Sequence, residues 1–85
     1  MTRSILIVDD EKDMLQLLKR SLEPDLDCRV TTAQSGQQAL QIIAEDQFDL
    51  ILADIKMPEM SGLELLELIK RDNPNMTVIM MTAYG

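Results

Sequence analysis

Four oxygen-bearing side chains stand where apolar runs stop. Asp9 and Asp10 follow Ile5-Leu6-Ile7-Val8, Asp54 follows Leu50-Ile51-Leu52-Ala53, and Thr82 follows Val78-Ile79-Met80-Met81. Short continuous runs rich in β-branched and aliphatic residues mark strands buried on both faces, so each of these residues is placed at the carboxyl end of a strand. In an open parallel sheet that is where ligands bind. If the first and third strands are neighbours, three carboxylates gather in one crevice, with Thr82 facing the same edge. Clustered carboxylates repel one another unless a cation is present, and a donor set of oxygen alone selects a hard one. Mg²⁺ fits, because it accepts a few carboxylates and keeps waters for other ligands. The chain has no histidine, which removes imidazole acid–base chemistry and the commonest transition-metal ligand. What remains is carboxylates, hydroxyls and hard cations, and a metal among these acids implies carboxylate attack on phosphorus, giving an aspartyl phosphate beside an ion that neutralises the phosphoryl oxygens.

Each residue also has a purely structural account. Asp10 can cap the helix that begins at Glu11 and sits well at its positive dipole end. Asp54 can be a turn aspartate, since Asp is common where strands end, although the next helix already has a cap at Ser61. Threonine is ordinary in strands, and Glu11 and Asp13 read as an acidic first helical turn. The paired acids and the separate acid at equivalent strand ends are harder to explain this way together than singly.

The elements that must position these groups alternate in period. Residues 4–8 read as a strand. Residues 11–22 read as a helix with Met14, Leu17, Leu18 and Leu22 at helical spacing, closed by Pro24. Residues 28–33 form a weaker, more polar strand, and residues 35–45 a helix with Ala39, Leu40, Ile42 and Ile43 inward. Residues 49–53 are a third strand, residues 54–60 a loop, residues 61–71 a helix with Leu63, Leu66 and Ile69 on one face, and residues 76–82 a fourth strand. Ser35-Gly36-Gln37-Gln38 and Ser61-Gly62-Leu63-Glu64 both fit the capping box. The expected architecture is a doubly wound α/β parallel sheet, β-α-β-α-β-α-β, with right-handed crossovers and one domain over residues 1–85.

Composition narrows the function classes. Eighty-five residues with a net charge of −7 make a poor partner for a phosphate backbone, so direct nucleic-acid contact is not expected of this segment. No run approaches the ~18 apolar residues of a membrane span, and the first apolar run reaches Asp9-Asp10 too soon for a signal peptide. A single cysteine, Cys28, cannot form an internal disulfide, which fits a reducing cytoplasm.

Three segments carry a resemblance. Residues 5–11 (ILIVDDE), residues 49–58 (DLILADIKMP) with Gly62, and Met81-Thr82-Ala83 closely resemble, in order and spacing, the signatures of response regulator receiver domains of two-component signalling. Ser35-Gly36 with Ala39-Leu40 is similar to that family's second helix. The resemblance implies a flavodoxin-like receiver fold in which Asp54 is the phosphoacceptor. It implies that Asp10 ligates Mg²⁺, that Asp9 acts largely through water, and that the Lys56 backbone carbonyl is a third ligand. Thr82 would be the switch hydroxyl, Ala83 its small neighbour, and Met57, Pro58 and Gly62 would shape the acceptor loop. The implied donor is a phosphohistidine on a sensor histidine kinase or phosphotransfer protein, or a small acyl phosphate. The implied consequence is a charge-driven switch of an output domain, most similar to enhancer-binding (NtrC-type) transcriptional regulators. Such a module is a regulatory phosphoacceptor, not an enzyme in the ordinary sense.

The family pattern continues with a helix, a fifth strand bearing a lysine that pairs with the phosphoryl group, and a final helix. Residues 1–85 therefore read as the N-terminal part of one receiver domain. With a family strand order of 2-1-3-4-5 the fourth strand becomes an edge, and an apolar edge invites pairing with another chain. Two alternatives stand beside the leading one. An aspartyl-phosphate phosphatase resembling the haloacid dehalogenases would want Asp-x-Asp after the first strand, whereas the acids here are adjacent. A fold fragment that self-associates through its fourth strand, without phosphotransfer, is the other.

Overall fold

The computed structural model describes residues 2–81, the side chains of 25 and 26 excepted. Thr82 and Ala83 lie outside the described residues. Seven elements follow in order: β1 (Arg3–Val8), α1 (Lys12–Leu26), β2 (Cys28–Ala33), α2 (Gly36–Glu45), β3 (Leu50–Asp54), α3 (Gly62–Asp72) and β4 (Val78–Met81). The strands pair in parallel in the order β2-β1-β3-β4, so β1 and β3 are neighbours, as the acid cluster requires. The doubly wound α/β parallel sheet expected from the alternating periods is what forms.

Strand parity divides the interior into two cores. Leu6 and Val8 of β1, Ala33 of β2 and Ile51 and Ala53 of β3 face α2 and α3, where they meet Ala39, Leu65 and Ile69, with Phe48 at the rim. Ile5, Ile7, Cys28 and Val30 face the other way and pack on Leu15 of α1. Val8 pairs with both Ala33 and Ala53, and these small side chains bring the strand ends together without crowding. The carbonyl of Ser4 accepts from Asp49 N–H at 2.8 Å, and the Asp49 carboxylate accepts from Ser4 N–H at 2.8 Å, which fixes the register of β1 against β3.

Several helix details differ from expectation. Pro24 lies inside α1 rather than closing it. It stands in the last turn and on an exposed position, where a missing N–H is cheaply borne. The helix ends instead at Asp27, in the left-handed region with φ 47°. Leu15, Leu18 and Leu22 face the sheet, while Met14 and Leu17 are exposed at 41% and 59%. In α3 the inward residues are Gly62, Leu65 and Ile69, and Leu63 is exposed. Both serine caps form: Ser35 Oγ accepts from Gln38 N–H and Ser61 Oγ from Glu64 N–H. Their return bonds are not those of the ideal box. Gln38 Oε1 accepts from Gln34 N–H, one residue before the cap, and Glu64 accepts from the Ser61 hydroxyl.

β4 is the edge strand among the described residues. Its Ile79, in register with Leu52, is 49% exposed.

Candidate metal and phosphoacceptor site

β1 ends at Val8, and the chain leaves the sheet with Asp9 N–H still bonded to the Ala33 carbonyl at 3.1 Å. Asp9 is therefore held at the strand tip, where it is 6% exposed and the one buried charged residue among those described. Its Oδ1 accepts from Glu11 N–H at 3.0 Å, a local turn in which the side chain bonds the backbone two residues on. This corrects the expected cap. Glu11, not Asp10, occupies the N-cap of α1 and makes no side-chain capping bond, and it is Asp9 that satisfies the helix entrance. Asp10 is left exposed with its carboxylate available to the crevice.

Asp54 is the last residue of β3, aligned with Met81 of β4, one residue further into the strand than the sequence pattern predicted. Its Oδ1 accepts from Lys56 N–H at 3.3 Å, the same two-residue turn used by Asp9. Carboxylate oxygens of Asp9, Asp10 and Asp54 all lie within 4.8 Å of one another. Burial pushes the Asp9 carboxyl above its ordinary value of 3.8, opposed by the Glu11 N–H and reinforced by the charges of Asp54 and Asp10. A buried carboxylate facing two others is costly unless a cation joins them.

The donor set fits Mg²⁺. Metal–oxygen bonds of ~2.1 Å place ligand oxygens about 3–4 Å apart around an octahedron, a spacing close to the 4.8 Å within which these oxygens lie. All three donors are hard oxygens.

The loop after Asp54 is anchored at several points. Ile55 N–H bonds the Met81 carbonyl at 3.0 Å, and Gly62 N–H returns to the Ile55 carbonyl at 2.9 Å. Met60 N–H bonds the Pro58 carbonyl at 2.7 Å across Glu59, whose φ is 69°. This is a γ-turn of the strained hand on a residue that is not glycine. Gly62 is required by close approach: a Cβ there would stand 2.2 Å from the Asp54 carbonyl oxygen. The first turn of α3 thus rests on the backbone of Asp54 itself. Of the other residues expected to shape the loop, Met57 is half-buried against the core and Pro58 is exposed. Sequence reasoning missed Met60, which packs against Gly36 of α2. The only sequence signal for that pairing was a glycine at the start of a helix, where a side chain is ordinarily preferred.

A parallel sheet with an acid cluster at the carboxyl ends of β1 and β3 is the frame of one well-populated class. The chain belongs to the response regulator receiver domain family, whose pattern it matches over residues 5–85. It is 45% identical over 81 residues to the transcriptional regulatory protein ZraR of Klebsiella oxytoca, covering 95% of this chain and 18% of that protein. It is 40% identical over 85 residues to the sporulation initiation phosphotransferase F of Bacillus subtilis (strain 168), covering all of this chain and 68% of that one. Among solved structures it resembles the response regulator TrrA of Thermotoga maritima in complex with Mg²⁺ and BeF, with a TM-score of 0.93, 36% identity, and coverage of 99% of this chain and 72% of that one. The same regulator in complex with the histidine kinase ThkA matches with a TM-score of 0.92. The chain is thus a receiver domain of two-component response regulators, and it spans under a fifth of the length of the transcriptional regulator it matches.

Proposed function

We propose that this chain accepts a phosphoryl group on Asp54, with Mg²⁺ held by Asp9, Asp10, Asp54 and the Lys56 backbone carbonyl, and passes the change to an output domain that controls transcription. The observation that carries the reading is the convergence of three carboxylates at the ends of β1 and β3, with Asp54 alone on its strand. A bound Mg²⁺ would offset the charge of the phosphoryl oxygens and of the acids around the nucleophile. The protein's own part is positional. Asp9 is locked by Glu11 N–H, Asp54 by Lys56 N–H, and Gly62 lets α3 back the acceptor strand. An Asp54 carboxylate oxygen attacks phosphorus, and the P–N bond of a phosphohistidine, or the P–O bond of an acyl phosphate, breaks. The leaving group takes the electron pair, and a leaving imidazole takes a proton from water.

The partner supported best is a sensor histidine kinase or phosphotransfer protein, because TrrA is held by a histidine kinase in a solved complex. Met14 and Leu17 lie exposed, three residues apart, on the helix that begins beside Asp10, an apolar face suited to such a partner. Thr82 and Ala83 take the switch role by family resemblance, and Met57 and Pro58 the loop-shaping one. Residues 1–85 are read as the N-terminal part of one receiver domain, acting in the cytoplasm as a regulatory phosphoacceptor rather than as an enzyme. Among the described residues no helix is long and apolar enough to cross a membrane. Self-association through β4 is a separate reading, which sedimentation at several concentrations decides.

Incubation with acetyl phosphate and Mg²⁺ followed by intact-mass measurement tests the proposal. One phosphoryl group is expected on the wild-type chain, and none with EDTA or in Asp54→Asn. Equal incorporation into Asp54→Asn would refute the assignment.

A further inference from the structure

Gly36 opens α2 and is buried. None of the described glycines has a positive φ, so the backbone at position 36 would accept any residue. Glycine in a helix is also unfavourable relative to alanine. The reason for glycine is space. A Cβ at position 36 would stand 2.6 Å from Met60 Sδ, 3.0 Å from its Cγ and 3.2 Å from its Cβ. The thioether could swing away, but the Met60 Cβ moves only with its backbone. That backbone is tied to Pro58 across the strained Glu59 turn and leads directly into Ser61 and Gly62, which rests on the Asp54 carbonyl.

We infer that Gly36 is a positioning residue for the acceptor site: by admitting Met60 against the start of α2, it sets where the 55–61 loop lies and hence where Lys56 meets Asp54. The contact is remote from the reacting atoms and acts on them through the loop. It also couples α2 to the site, so displacement of either is felt by the other. The inference rests on the reading of Asp54 as the acceptor beside a Mg²⁺ site.

A double-mutant cycle between Gly36→Ala and Met60→Ala tests it. The readouts are the amide resonances of Asp54 and Lys56 in metal-free protein, the Mg²⁺ dissociation constant from titration of those resonances, and the melting temperature. Gly36→Ala alone is expected to shift the Lys56 amide and weaken Mg²⁺ binding ~10-fold, the lower end of what is lost when groups that orient metal ligands are disturbed. The melting temperature should fall, as for any methyl forced into filled space, so the shift of the Lys56 amide and the loss of Mg²⁺ affinity are the readouts that separate a positioning glycine from a merely structural one. In the Met60→Ala background the same substitution should change Mg²⁺ binding by less than ~2-fold, because the two closest atoms, Sδ and Cγ, are gone and the remaining Cβ contact at 3.2 Å asks the loop to give by only a few tenths of an ångström. If Gly36→Ala alone does not fold, a cooperative melt regained in the double variant supports the contact, and none overturns it. An equal effect of Gly36→Ala in both backgrounds, or an unmoved Lys56 amide, also overturns the inference. A wild-type chain that binds no Mg²⁺ would instead count against the functional reading, and the Lys56 amide would still decide the contact.

Discussion

Replacing Asp9 by Asn should make the metal-free protein more stable and leave it indifferent to Mg²⁺. Asp9 is 6% exposed, and its carboxylate lies within 4.8 Å of those of Asp10 and Asp54. At that separation two unit charges repel by about 3 kcal/mol for an effective dielectric of ~20. Asp54 is half-buried and Asp10 exposed, so solvent screening leaves about 1–2 kcal/mol to be recovered. The amide oxygen of Asn can still accept the Glu11 N–H, so the turn survives. For a domain of this size the gain corresponds to a rise of roughly 4–16 °C in melting temperature. Wild type should behave oppositely, gaining about 2.7 kcal/mol when Mg²⁺ is ~100-fold above its dissociation constant, with little gain in the variant. The pH dependence follows the same charge. Because the folded-state pKa of Asp9 is raised above 3.8, the native state holds that proton more tightly than the unfolded chain. The Asp9 contribution to metal-free stability therefore falls as pH rises from 3.8 through the raised value, and is level above it. Asp9→Asn should remove that slope. Thermal melts in EDTA and in Mg²⁺, from pH 3 to 8, measure all of this. A variant that melts below wild type in EDTA would refute the reasoning, because Asp9 would then be stabilised rather than strained by its neighbours.

Gly62→Ala places a methyl 2.2 Å from the Asp54 carbonyl oxygen, so α3 must move, at a cost of about 1–3 kcal/mol. Urea melts with a lowered midpoint and weaker Mg²⁺ binding are expected together, and an unchanged midpoint would contradict the packing described. Asp27, in the left-handed region at the end of α1, should gain about 1 kcal/mol on replacement by Gly. Its Mg²⁺ affinity should be unaltered, since the residue lies at the end of α1 away from the site.

The fold was legible because parity and period are strong signals in β1, β3 and β4, and because the parallel order follows from strands joined through helices. The acid cluster was legible for the same reason, since strand ends share one edge. Which helical stripe faces inward was not. In α1 apolar residues stand at 14, 15, 17, 18 and 22, so two overlapping stripes compete, and the sheet selects 15, 18 and 22. In α3 Leu63, Leu65 and Leu66 compete likewise, and the seating of Gly62 on Asp54 settles the phase. Pro24 misled because proline ends helices only where its missing N–H or ring meets a constraint. The Asp9–Glu11 bond was hidden because Asp9 and Asp10 are adjacent and chemically equivalent in sequence. Only the Ala33 bond to Asp9 N–H fixes which of them turns inward.

The central claim is that Asp54, among the acids gathered at the sheet edge, carries the phosphoryl group. Borohydride reduces an aspartyl phosphate to homoserine and leaves free aspartate unchanged. The chain would be treated with acetyl phosphate and Mg²⁺, reduced, digested, and its peptides sequenced by mass spectrometry. The account predicts homoserine at position 54 alone, dependent on Mg²⁺. Homoserine at position 9 or 10, or modification that persists in EDTA, would contradict it.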